Sequence, residues 1–149
     1  LSGDKFPEVK VIGIDSADVA LIWNDVAPLL EKAVIVSRGC LTLPHILASL
    51  RNRSMQLWIV TKKKKIIVAV ITEVLNYTGK RLVKYIAAGG SGNYLKEWLV
   101  PLDTTIAKWA KNLGANAIEI FGRKGWGKVM KQYGYEEAYV VLYKELGNG

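Results

Sequence analysis

Gly89-Gly90-Ser91-Gly92 stands between a strand-like run and an amphipathic helix-like run. A glycine turn feeding a helix N-terminus offers backbone N–H groups and the positive end of the helix dipole to an anion, phosphate above all. Two carboxylates, Glu73 and Glu119, each interrupt an apolar run. Burial among such neighbours would raise a carboxyl pKa toward that of a general base; the alternative is a solvated position on the outer half of a strand. Tyr133, one residue before Gly134, carries a phenolic proton. His45, the sole histidine, falls in the first turn of an expected helix and reads as a surface or capping residue. With Cys40 the sole cysteine, one His and one Cys cannot build a typical zinc site, so no metal is expected. Neither a nucleophile elbow nor a G-x-x-x-x-G-K-[S/T] loop is present.

The elements that would position these groups follow from periodicity. Val9 to Ile14 predicts a first strand, and Asp15-Ser16 offers a helix N-cap. Val19, Ile22, Trp23 and Val26 recur at helical spacing, Pro28 breaks or restarts that helix, and Arg38-Gly39 stops it. Thr42 caps a second helix with Pro44 in its first turn. Met55–Thr61, Ile66–Tyr77 and Arg81–Ala88 form an antiparallel meander. Ile66 to Ile71 hardly alternates, which predicts a strand covered on both faces. Leu95 to Leu113 carries one broad apolar face, with Pro101 either kinking the helix or starting it, and Gly114 as C-cap. Ala117–Phe121 predicts a fifth strand, Gly125–Tyr133 a short helix and Ala138–Tyr143 a last strand. The order β-α-α-β-β-β-α-β-α-β, with no repeat or linker, predicts one α+β domain spanning residues 1–149, a mixed sheet with parallel pairing among its later strands. Trp98, Trp109 and Trp126 are expected in the core, as is Trp58, although its strand could also face a substrate.

The chain has 149 residues and a formal net charge of +8, from 21 basic and 13 acidic residues. That balance favours acidic partners: nucleic acid, an anionic surface or a phosphate-bearing ligand. Lys62-Lys63-Lys64-Lys65 is expected to tip a hairpin, as a solvated turn or as a nucleic-acid contact. No helix-turn-helix, zinc-finger or RNA-binding aromatic signature accompanies it. No apolar run approaches the roughly 20 residues of a membrane span. The absence of a leader-like apolar stretch and of paired cysteines fits a cytoplasmic location.

Ile86-Ala87-Ala88-Gly89-Gly90-Ser91-Gly92-Asn93-Tyr94-Leu95, the helix after it, and Tyr133-Gly134-Tyr135 before a closing Tyr143-Lys144-Glu145-Leu146 resemble the GNAT superfamily of acyl-CoA-dependent N-acyltransferases. The resemblance spans Val9 to Leu146. It implies a GNAT-like mixed sheet with helices on both faces, and acetyl-CoA or a related acyl-CoA as co-substrate. Pantetheine would pair with the backbone of Ile86, Ala87 and Ala88 in a gap between the fourth and fifth strands. The pyrophosphate would lie on backbone N–H groups of Gly90, Ser91, Gly92, Asn93 and Tyr94, with Gly89 also among the cofactor-binding residues and Arg123 meeting acidic groups of CoA or the acceptor. Glu73, Glu119 and Tyr133 would be the groups available for proton transfer to and from an amine acceptor.

Two departures stand out. The family's loop usually begins with Gln or Arg three residues before its first glycine, where this chain has Ala87. Its usual tyrosine acid, four residues before the turn, is replaced by Met130, and the asparagine opening that helix by Arg123. These favour an alternative: a non-catalytic GNAT-like protein serving as an interaction module for a protein partner. Gly122-Arg123-Lys124-Gly125-Trp126 and the sequence to Leu146 are also similar to GNAT-like proteins of tailed phages and prophages, which implies host cytoplasm or a virion as location. The resemblance further implies a possible homodimer through the C-terminal sheet edge. It names no acceptor.

Overall fold

The apolar run at 66–71 lies in the middle strand of a five-stranded sheet. The computed structural model describes residues 9–90, 92, 95–121 and 124–147. Strand β1 is Val9–Ile14, β2 Gln56–Lys62, β3 Lys65–Asn76, β4 Arg81–Gly90 and β5 Ala117–Ile120. They lie in the order β1-β2-β3-β4-β5. The first four pair antiparallel, and β4 pairs parallel with β5.

The uninterrupted apolar character of β3 has the expected cause. Val68 and Val70 pack on one face with helix α3 (Leu95–Asn112) and helix α4 (Lys124–Met130). Ala69 and Ile71 pack on the other with helix α1 (Val19–Val36) and helix α2 (Leu43–Arg51). The α3 face holds Trp58, Tyr85, Trp98, Leu102 and Ile106; the α1 face holds Val26, Leu30, Ile46 and Leu57. Trp109 and Trp126 pack against the α3-face core, and Trp58 meets Trp109 edge-on at 5.1 Å. Trp58 therefore serves packing, and its Nε1 donates to Thr72 Oγ1 at 2.9 Å.

Pro28 lies inside the continuous helix α1 and Pro101 inside the continuous helix α3. Each removes one backbone donor, a loss that burying an apolar helix face outweighs. Helix α1 starts later than Asp15-Ser16 suggests. The Asp15 side chain accepts from the Ala17 N–H in a turn, and Asp18 becomes the N-cap. Thr42 caps α2 by accepting from the His45 N–H. Gly114 closes α3: its N–H donates to Lys111 O, and that of Ala115 to Ala110 O.

The expected last strand is not formed. Ala138–Tyr143 has no strand pairing, and its side chains stand in solvent, Val140 at 81% and Leu142 at 90% exposure. A β-rich composition makes a strand only where an edge receives it, and β5 offers just four residues. The short helix also differs from expectation, ending at Met130 and continuing as a 3-10 turn over Lys131–Tyr133. No helix among the described residues is long and apolar enough to cross a membrane.

Candidate functional site

The sheet opens where β4 and β5 part. Their parallel register ends at Tyr85 opposite Ile120. On its other side, β4 stays paired with β3 to its last residue, Gly90 opposite Val68. Between Ala87 opposite Ile71 and Tyr85 opposite Thr72, Ile86 is the extra residue of a β-bulge. A bulge bends its strand and leaves a residue outside the ladder. So from Ile86 to Gly90 the β5 side of β4 carries no strand among the described residues. Ile86 is half-buried, Ala87 buried and Ala88 exposed.

The glycines divide by role. A Cβ on Gly89 would lie 1.8 Å from Leu29 O in α1, and one on Gly90 would lie 2.2 Å from Ile67 O in β3. Gly90 also has φ +153°. These two glycines let α1 and β3 close onto the end of β4, a reason internal to the fold that no phosphate need supply. Gly92 differs: a Cβ there meets nothing within 4 Å. Ser91, Asn93, Tyr94 and Arg123 lie outside the described residues.

The lysine hairpin lies between the end of β4 and the first turn of α3. With Val68 opposite Gly90, the strand start at Lys65 extends past the end of β4. Lys62 Nζ lies 2.7 Å from Glu97 Oε2 in the first turn of α3, tying the hairpin to the helix start. Lys63 and Lys64 form the two-residue tip, at φ +53° and +62°.

On the α1 face, next to where β4 and β5 part, a row of charges crosses three strands. Glu73 in β3 is opposite Lys84 in β4, and Lys84 is opposite Glu119 in β5. Val83 and Tyr85 face α3, so alternation turns Lys84 to the other side. All three charged residues are half-buried. Lys84 Nζ sits 3.6 Å from the centroid of the Phe121 ring. Tyr139, from the segment expected as a last strand, donates its hydroxyl to Glu119 Oε2 and stands edge-on to Phe121 at 6.5 Å. That bond pushes the Tyr139 phenol up to about 12, with desolvation and the nearby Glu119 and Tyr77 charges adding to it.

On the α3 side, Tyr85 and Tyr135 both donate to Asp103 Oδ1, at 3.1 and 2.5 Å. Burial, then the neighbouring negative charges, pushes Tyr85 far above the ordinary phenol range. Burial, then the bond to Asp103, does the same to Tyr135. Met130 is 3% exposed and belongs to this core, and Tyr133 packs against it. The structure thus brings Glu73 and Glu119 into one row on the α1 face and leaves Tyr133 with the α3-side packing. His45 lies in the first turn of α2, where its backbone N–H donates to the Thr42 cap, and its Nε2 is 3.4 Å from Ser49 Oγ.

Sequence reasoning did not single out Lys84, Phe121, Asp103 or Tyr139. Strand alternation could have paired Lys84 with the carboxylates once the register was known. Nothing local to the sequence announces the long-range contacts of Asp103 and Tyr139.

This architecture recurs among solved structures. An aminoglycoside acetyltransferase from an uncultured soil metagenomic sample superposes with a TM-score of 0.70 at 17% identity, covering 97% of this chain and 99% of that one. The fold is a GNAT acetyltransferase fold. A predicted acetyltransferase from Clostridium acetobutylicum, solved with acetyl-CoA, gives a TM-score of 0.63 at 16% identity over 93% of this chain and 96% of that one. A ribosomal-protein-alanine N-acetyltransferase from Brucella melitensis biovar Abortus 2308 gives 0.67 at 15% identity over 93% and 99%. No protein-family model and no curated protein matches the chain. At these identities the GNAT likeness is one of fold.

Proposed function

We propose that this protein binds an acyl-CoA, acetyl-CoA foremost, between β4 and β5 and transfers the acyl group to an amine. The observation that carries this reading is the parting of the two strands beyond Tyr85 and Ile120 in a GNAT fold, with the bulge at Ile86. The backbone of Ile86, Ala87 and Ala88 has its β5 side free to pair with an amide-bearing pantetheine arm. Gly92 leaves room at the start of α3 for a diphosphate, where the helix dipole favours negative charge. Ser91, Asn93, Tyr94 and Arg123 would complete that cradle. Lys63 and Lys64 beside it supply the positive charge that Ala87 does not.

The chain's own residues then handle the proton. The bound thioester supplies an activated acyl carbon. An amine at physiological pH is protonated and must lose a proton before it can attack. Glu119 takes that proton, and the Tyr139 hydroxyl holds its carboxylate in place. Glu73, in the same row, gives a second anionic contact for a cationic acceptor. Met130 has no proton to give, so the departing thiolate draws its proton from solvent.

The test is release of free CoA thiol, followed with a thiol reagent across primary amines, aminoglycosides and peptide N-termini. Turnover that falls by about 10² or more in Glu119→Gln, with acetyl-CoA affinity kept, supports transfer. Tight acetyl-CoA binding without turnover supports a second reading, an acyl-CoA-binding interaction module, which the buried Met130 favours. Absence of both binding and turnover contradicts the proposal.

A further inference from the structure

The site already contains a primary amine. Lys84 lies on β4 two residues before the bulged Ile86, about 7 Å along the strand and so within the reach of its own four-carbon stem. Its Nζ rests on the Phe121 ring at 3.6 Å, on the face that also carries Glu119. Among the described residues it is in no ion pair, although its two cross-strand neighbours are carboxylates. An aromatic face holds an ammonium in position through the attraction of its ring quadrupole.

The geometry points to Lys84 as a self-acetylation site: the protein transfers an acetyl group from its own bound acetyl-CoA to Lys84 Nζ. This rests on the acyl-CoA reading above. Glu119 takes a proton from the Lys84 ammonium, and the freed nitrogen lone pair attacks the thioester carbon. The new C–N bond forms as the C–S bond breaks, the sulfur leaves as a thiolate, and solvent protonates it. The nitrogen loses its second proton as the amide forms. In sum, acetyl-CoA and Lys–NH₃⁺ give Nε-acetyl-lysine, CoA–SH and H⁺, with no oxidant or further reactant. The product has lost the positive charge between Glu73 and Glu119. The row across β3, β4 and β5 then carries two carboxylates and no cation, a more favourable seat for a second, cationic amine.

The test is peptide mass mapping after incubation with isotope-labelled acetyl-CoA, with the exposed Lys32 and Lys111 as internal references. Pre-positioning predicts labelling of Lys84 at least about tenfold faster than either reference, at a first-order rate independent of protein concentration. Glu119→Gln should slow the Lys84 signal and spare the references, while Lys84→Arg removes it. Acetyl phosphate, which has no use for the cleft, should show no preference for Lys84. Labelling of Lys84 at the rate of Lys111 while calorimetry detects bound acetyl-CoA would overturn this inference and leave the acyl-CoA reading intact. Failure of acetyl-CoA to bind at all would overturn both.

Discussion

Gly89 and Leu29 meet more closely than any side chain would permit: a Cβ at 89 would stand 1.8 Å from the Leu29 carbonyl oxygen. The contact locks α1 onto the end of strand β4, and it separates two glycines that look equivalent in the sequence. Gly89→Ala should destabilise the protein by about 3 kcal/mol or more, because backbone must move to admit the methyl group. Gly92→Ala, with open space around it, should stay within about 0.5 kcal/mol of wild type. Urea denaturation of the two variants checks the split.

The lysine tip predicts opposing effects. A two-residue hairpin with both central residues at positive φ favours Asn-Gly, and left-handed lysines cost about 1–2 kcal/mol each. Lys63→Asn with Lys64→Gly should therefore raise the melting temperature. The same pair removes two charges beside the proposed phosphate site, so it should weaken acetyl-CoA binding, most visibly at low salt. A rise in both quantities would exclude the lysines from ligand binding.

Burial of Tyr85 and Tyr135 beside Asp103 makes stability sensitive to base. Tyr85 and Tyr135 have folded-state pKa values above their ordinary 10.0, so above that pH the folded state holds protons that the unfolded state has released. Stability falls as pH rises under that condition. The contribution should be complete below pH 10 and decline steadily above it. Tyr85→Phe and Tyr135→Phe should each flatten the decline while lowering stability near neutrality. Denaturation midpoints between pH 7 and 11 check this.

Much of the fold is legible in the residues. The non-alternating run in β3, the apolar face of α3, the Thr42 cap and the Gly114 stop each act through nearest neighbours along the chain. The parting of β4 and β5 is legible only through the GNAT resemblance, which implies a gap between them. Less legible is whatever depends on partners distant in sequence. Strand propensity at Ala138–Tyr143 does not reveal that β5 is too short to receive it. The sequence places Glu73 and Glu119 in strands, but only the register aligns them around Lys84. Tyr133 lies next to the glycine turn as read, yet its packing, set by α3, turns it away from the carboxylates.

The central claim is a working acyl-CoA cleft between β4 and β5, and calorimetric titration with acetyl-CoA tests it most directly. The account predicts micromolar binding at one site, retained by desulfo-CoA and abolished by Gly92→Glu, whose carboxylate would enter the open space where a diphosphate is proposed to lie. No heat and no thermal stabilisation at millimolar acetyl-CoA would contradict it.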